Sequence, residues 1–215
     1  ATAPGRHVCI GGPRAGLEPV GSGERAERSI QPAMASTTRS DPPARVAVVI
    51  PCFNEGPAVA EAWCSLADEE PHEAVIVDDG SDDPDTHDVL AVLAAAGARV
   101  IRQENQGLAA ARATGVAATR APYVQPLDGD DVLAPGALTR LADALDADGD
   151  AVAAWGDLRV FGAIDRIDPK GRAIDPWLLT HLHDLHSSLM IRRDTLEAVG
   201  GWARVVYEDW DLSLA

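Results

Sequence analysis

The chain has 215 residues, of which 46% are hydrophobic and 24% charged, and its formal charge is -16. That length suffices for one well-packed domain with or without a tail, and so negative a surface excludes recognition of nucleic acid or an anionic membrane through bulk charge. Three cysteines without paired spacing argue against a disulfide framework and for a reducing compartment.

No apolar run approaches the length of a membrane span, and no signal peptide is visible. The expected location is cytoplasmic, or the inner face of a membrane reached through further sequence or partners. Residues 1–44 are rich in Gly, Pro, Ser, Thr and Arg without apolar periodicity, and are expected to form a disordered tail. Met34 lies just ahead of the first regular segment, so residues 1–33 are readable as upstream of a natural start.

From Arg45 the pattern changes. Val46 to Ile50 is a continuous apolar run of buried parallel-strand type, stopped by Pro51. Pro57 suits a helix start, and Val59, Ala62, Trp63 and Leu66 follow at helical spacing. A second strand, 74–77, ends in Asp78-Asp79-Gly80-Ser81-Asp82. The next helix is expected to bury Val89, Val92, Leu93 and Ala96, and to stop at Gly97. A third strand, 99–102, leads through Asn105-Gln106-Gly107 to a helix over 108–119. The fourth strand delivers Leu127-Asp128-Gly129-Asp130-Asp131, and a helix with Leu138, Leu141 and Leu145 follows. Short strands are predicted at 151–154, 158–161 and 187–191, with 162–180 irregular and a helix near 194–199.

Repeated strand–helix alternation predicts an α/β fold with an open, mostly parallel central sheet flanked by helices. Ligands bind such sheets outside the carboxyl ends of the strands, at the switch point of the strand order. The polar loops 51–55, 78–82 and 128–131 all fall at that edge. In the last of these, three carboxylates crowd together with no Lys or Arg within six residues on either side. Two unit charges about 4 Å apart interact by roughly 4 kcal/mol at an effective dielectric near 20. Such a loop is either fully solvated or meets a cation.

The segments V-A-V-V-I-P-C-F-N-E-G (46–56), V-I-V-D-D-G-S-D-D (75–83), N-Q-G-L-A-A-A-R (105–112), Y-V-Q-P-L-D-G-D-D (123–131) and E-D-W-D-L (208–212) together resemble the family 2 inverting glycosyltransferases of GT-A fold. The resemblance spans residues 45–215 as one catalytic domain, C-terminally incomplete. It implies a nucleotide-sugar donor (UDP-, GDP- or TDP-linked) and a saccharide, lipid-linked or other hydroxyl acceptor. Phe53 would lie against the base, with Pro51, Asn54 and Glu55 lining the base and ribose pocket. Asp79 would accept a base N–H, while Asp78 would close its own loop. Asp128 would face the ribose, Gly129 would lie beside it, and Asp130 would hold a divalent metal, Mn²⁺ or Mg²⁺, bridging the diphosphate. Asp209 would be the general base, with Glu208 in support and His186 near the acceptor or leaving group. Family members often carry Asn after the arginine of the third helix, where this chain has Ala113, which leaves a phosphate contact for Arg112 open.

Other patterns carry less. Asp146 to Asp157 mimics a calcium loop but has Ala151 where Gly is required. His181 to His186 mimics a metallohydrolase run with its Asp one place early. Cys64 adjoins the apolar stripe of its helix and is expected to pack. A dinucleotide-binding Rossmann enzyme requires G-x-G-x-x-G after the first strand, where this chain has P-C-F-N-E-G-P. A nucleotidyltransferase of related architecture requires a basic, Gly-rich loop there, and Pro51 to Pro57 contains no Lys or Arg. A sugar-nucleotide-binding remnant without turnover is the non-enzymatic alternative.

Overall fold

The computed structural model describes residues 6–10, 43–67, 69–169 and 189–202. A strand at Arg6–Ile10, β1, belongs to a small second sheet; the main sheet is built on β2 (Val46–Cys52), buried along its whole length. On one side β2 pairs parallel with β3 (His72–Asp78), which pairs parallel with β4 (Val100–Arg102). On the other it pairs parallel with β5 (Tyr123–Pro126). The chain thus runs outward from β2 in one direction and then returns to its opposite flank, which puts the switch point between β2 and β5.

Helices cover both faces, and the alternation along β2 shows how. Val46, Val48, Ile50 and Cys52 pack into one cluster with Val59 and Ala62 of α1 (Ala58–Cys64), Leu90 and Leu93 of α2 (Pro84–Ala95), and Leu138, Leu141 and Leu145 of α4 (Ala137–Ala147). Val49 faces the other way, into a cluster with Ala109 and Ala111 of α3 (Leu108–Ala117) and Leu196 of α5 (Arg193–Ala198). A strand covered on both faces needs apolar residues at every position, which is why β2 reads as an unbroken apolar run.

Several boundaries differ from expectation for identifiable reasons. β2 continues through Pro51 to Cys52, in register with Val77 and Asp78 of β3. The Val49 carbonyl accepts from Leu127 N and the Cys52 carbonyl from Asp79 N, so by alternation Pro51 faces the crevice beyond the end of β5, where no ladder donor is needed. In α2, Val92 is 64% exposed and Leu90, on nearly the opposite face, enters the core with Leu93. Cys64 is exposed. The region expected to be irregular contains β9 (Arg166–Asp168), which closes a hairpin with β8 (Asp157–Phe161). β10 (Met190–Arg192) joins the main sheet antiparallel to both β5 and β7 (Ala153–Ala154).

The expectation of a disordered 1–44 is corrected at 6–10. There β1 pairs parallel with β6 (Val132–Leu133) and antiparallel with β8. The short run His7-Val8-Cys9-Ile10 stands out from its Gly- and Pro-rich surroundings, and pairing on both sides gives its backbone groups partners.

Adjacent arginines fasten β10 to both helical layers. Arg192 donates to the carbonyls of Leu145 (2.6 Å) and Ala151 (2.7 Å) at the end of α4. Arg193 donates to the Val116 carbonyl (3.0 Å), the Ala121 carbonyl (2.7 Å) and Thr119 Oγ1 (3.0 Å) at the end of α3. Cations there answer the unpaired carbonyls of a helix C-terminus. At the other end of α4, the Glu69 carboxylate accepts from Ala137 N (3.1 Å) and Leu138 N (3.0 Å), capping the helix from across the fold.

The approach of α3 to the sheet depends on Gly115, where an added Cβ would stand 2.2 Å from Val49 Cγ1. Valine is stiff at χ1 and cannot swing aside. Gly115→Ala is therefore expected to destabilise by about 1–3 kcal/mol despite alanine's better helix propensity. Adding Val49→Ala should return part of that loss in denaturant unfolding, whereas no return would show that the contact does not set the spacing.

Candidate active site

The four polar loops at the carboxyl edge are tied to one another before any ligand arrives. After β2, Asn54 adopts a left-handed conformation (φ 59°) that asparagine tolerates better than most residues. Its Oδ1 accepts from Asp82 N (2.9 Å) and Asp83 N (3.0 Å), its Nδ2 donates to Asp82 Oδ1 (2.7 Å), and its own N–H donates to Ser81 Oγ (3.0 Å). Asn54 thus pins the β2 loop to the β3 loop and turns Phe53 and Glu55 to the side it does not occupy itself. The Gly56 N–H donates to Thr86 Oγ1 at 2.7 Å, a second tie between the same segments.

The two aspartates ending β3 are both buried, with different partners. Asp78 accepts from Ser81 N (2.9 Å) and Arg102 Nη1 (2.8 Å), closing its loop onto β4. Asp79 accepts from Gln103 Nε2 (2.7 Å), Gln106 N (2.9 Å) and Gly107 N (2.7 Å), holding the segment that leads into α3. A carboxylate has about four acceptor positions, so Asp79 keeps room for one further donor. Directly after them, Gly80 (φ 78°) admits no side chain, because a Cβ would lie 2.8 Å from Asn105 N.

The acidic loop after β5 packs equally closely on the β2 loop. A Cβ on Gly129 would lie 2.9 Å from Glu55 Cγ and 3.0 Å from the Pro51 carbonyl oxygen. Glu55 is consequently half-buried beside Asp130 and Asp128, and its carboxyl is pushed up from the usual range by burial first and by those two charges second. The cation missing from the local sequence comes from α3. Arg112 is 0% exposed and its Nη2 donates to Asp128 Oδ1 at 2.8 Å.

Together these loops enclose a cavity of about 500 Å³ at the switch point, bordered by Pro51, Phe53, Glu55, Asp79, Leu108, Asp128, Gly129 and Asp130. Phe53 is 46% exposed, presenting a ring at the rim rather than filling the core. Cys52 also borders the cavity, but burial pushes its thiol up to about 11, which keeps it protonated and inert at neutral pH. Of the expected donor contacts, Asn54 is the residue the structure commits elsewhere, as a fastener between loops. Asp209, Glu208 and His186 lie outside the described residues. Gln103 and Leu108 are additions, and Arg112, whose phosphate contact the sequence leaves open, pairs with Asp128. The signal for Arg112 was an arginine placed in the small-residue stripe with which α3 meets the sheet.

Residues 47–200 match the family described as glycosyl transferase family 2. The chain belongs to that family. The succinoglycan biosynthesis protein ExoU of Rhizobium meliloti (strain 1021) is 36% identical over 141 residues, covering 62% of this chain and 41% of ExoU. The uncharacterized glycosyltransferase EpsJ of Bacillus subtilis (strain 168) is 35% identical over 103 residues, 46% of this chain and 29% of EpsJ. Among solved structures, the mannosyltransferase PcManGT from Pyrobaculum calidifontis in complex with GDP-Man and Mn²⁺ superposes with a TM-score of 0.55 at 22% identity, over 82% of this chain and 54% of that one. S. aureus TarS 1-349 in complex with UDP gives a TM-score of 0.60 at 16% identity, over 79% and 53%. The likeness establishes the GT-A fold. The family 2 chain described here spans about half the length, or less, of these relatives. No helix among the described residues is long and apolar enough to cross a membrane.

Glu55 yields a prediction with a definite sign. Its folded-state pKa lies above the unfolded one, so between the two values the folded protein holds the extra proton, and stability falls as pH rises through that window. Above the window the buried charge is a standing penalty. Glu55→Gln should therefore raise Tm at pH ~7, with the gain fading towards pH ~4 as the wild-type carboxyl is protonated in both states. A gain that persists undiminished at low pH would mean that the carboxylate is not under strain from its neighbours.

Proposed function

We propose that the chain catalyses metal-dependent, inverting transfer of a glycosyl group from a nucleoside-diphosphate sugar to an acceptor hydroxyl. The observation that carries this reading is one cavity, at the switch point of the sheet, that joins an exposed aromatic face (Phe53) to the carboxylates of Asp128 and Asp130. The first suits a nucleobase, since one π-face stacks on another. The second suits the counter-ion of a diphosphate. GDP-Man, bound in PcManGT, and UDP-GlcNAc, bound in a further structure of S. aureus TarS 1-349, are the donor classes to test first.

The donor set fits a hard divalent cation. Among the described residues no three His, Cys, Asp or Glu side chains form a cluster that would enclose a metal by itself. Mg²⁺ or Mn²⁺ bound with phosphate oxygens and water needs only one or two protein carboxylates, and Asp130 is the one offered here. When bound, the ion supplies Lewis-acid stabilisation of the negative charge on the departing diphosphate. Phe53 and Pro51 hold the base, Asp79 accepts a base N–H with its remaining acceptor position, and Asp128, held by Arg112, meets the ribose. Asp209 takes the proton of the acceptor hydroxyl as its oxygen bonds to the anomeric carbon from the face opposite the breaking carbon–phosphate-oxygen bond. No covalent glycosyl–enzyme is needed, which agrees with an inert Cys52. Acceptors are saccharides, lipid-linked saccharides or other hydroxyl compounds.

Calorimetric titration of the protein with UDP-, GDP- and TDP-sugars, with and without Mn²⁺, tests the donor half of the reading. One nucleotide class should bind, with affinity lost in EDTA and in Asp130→Asn; metal-independent affinity that also survives Asp130→Asn would sink it. Asp209→Asn should leave donor affinity intact and lower turnover by about 10²–10⁴-fold. Full turnover in that variant would remove Asp209 from the mechanism, and donor binding without turnover in the wild type would mark a binding module.

A further inference from the structure

Arg112 reaches into two different parts of the molecule. Its Nη2 donates to Asp128 Oδ1 at 2.8 Å, on the loop that borders the donor cavity. Its guanidinium carbon lies 5.8 Å from the centre of the Trp202 ring. Trp202 is buried and closes the turn after α5, where Gly200 and Gly201 both adopt left-handed backbone (φ 87° and 77°). It does not border the donor cavity but a separate groove of about 750 Å³ between α3 and α5. A guanidinium is planar, so it can donate along its edge while its face rests on an indole; a lysine ammonium is a compact point charge and cannot do both. With Arg112 fully buried, water does not substitute for either partner.

We propose that Arg112 is a positioning residue that couples the Asp128–Asp130 loop to the Gly-Gly-Trp turn, so that the geometry of the donor loop depends on Trp202 through one buried guanidinium. The inference deepens the nucleotide-sugar reading of the cavity and rests on it. In sequence, six residues separate Trp202 from Asp209, the expected general base. A buried arginine that only filled space would affect folding stability but would transmit nothing from Trp202 to the cavity.

The test is donor affinity by calorimetry in Mn²⁺, with GDP-mannose or UDP-GlcNAc, on folded Arg112→Lys, Trp202→Leu, Trp202→Phe and the Arg112→Lys/Trp202→Leu double variant. Trp202→Leu should weaken binding about tenfold although its side chain lies outside the cavity, and Trp202→Phe, which keeps a ring face, should restore most of it. Arg112→Lys should weaken binding to a similar degree, and adding Trp202→Leu to it should change little more. Unchanged affinity in Trp202→Leu, or additive losses in the double variant, overturns the coupling. If the wild type binds neither sugar nucleotide, the donor reading fails on its own, and the clamp is then judged by Tm. Non-additive shifts of Arg112→Lys and Trp202→Leu support it and additive shifts overturn it.

Discussion

Where a buried parallel strand ends, the backbone groups of the loop beyond it must find partners away from water, and in this protein aspartates supply them. Asp78 and Asp79, the last residues of β3 and the first of its loop, together accept from Ser81 N, Arg102, Gln103, Gln106 N and Gly107 N. Hydrogen bonds to a charged acceptor contribute roughly 1.5–3 kcal/mol each, and losing one leaves a buried donor without a partner. Asn54 repeats the device between the β2 and β3 loops with neutral groups. The rim is therefore assembled by contacts between loops as well as within them. A cavity built this way binds without first having to order its own walls.

The same economy governs charge. A chain at -16 has few cations to place, and those near the site sit at junctions. Arg102 answers Asp78, Arg112 answers Asp128, and the Arg192–Arg193 pair answers the helix ends behind β5. Burying an ion pair is no route to great stability, because desolvation offsets the attraction, yet removing one partner of such a pair is strongly destabilising, by about 3–5 kcal/mol. Such a pair acts as a constraint on geometry more than as a source of free energy. At Arg112 the constrained object is the carboxylate loop itself.

Much of this could be read from the chain alone, and the part that could not shares a cause. The strands of the parallel core announce themselves because burial on both faces demands unbroken apolar runs, as in Val46–Ile50. The polar loops are legible because a parallel sheet sends them all to one edge. What escapes is anything decided by a partner distant in sequence. Nothing in residues 121–137 indicates that Arg112 would meet Asp128, and nothing near Asn54 indicates that the Asp82 and Asp83 N–H groups would claim its side chain. A short edge strand escapes for a related reason: β9 is three residues long, too short for alternation to register, and is defined by its pairing with β8. Val92 and Leu90 show the limit of helical periodicity, where two apolar residues stand within a turn and only packing decides which is inside.

The closeness that makes the site also makes its central difficulty. Pro51 lacks an N–H where β2 faces the crevice, and Gly129 lacks a Cβ where the β5 loop crosses the Pro51 carbonyl and the Glu55 side chain. These two omissions let the loops after β2 and β5 approach until the strand ends themselves become the floor of the cavity. The approach also buries Glu55 beside Asp128 and Asp130, and its carboxyl is pushed up by that burial first and by the two neighbouring charges second. From inside the fold, Arg112 relieves one of the three carboxylates. The other two, Glu55 and Asp130, border the cavity. The close approach of the two loops therefore sets both the shape of the cavity and the burial of the carboxyl groups that border it.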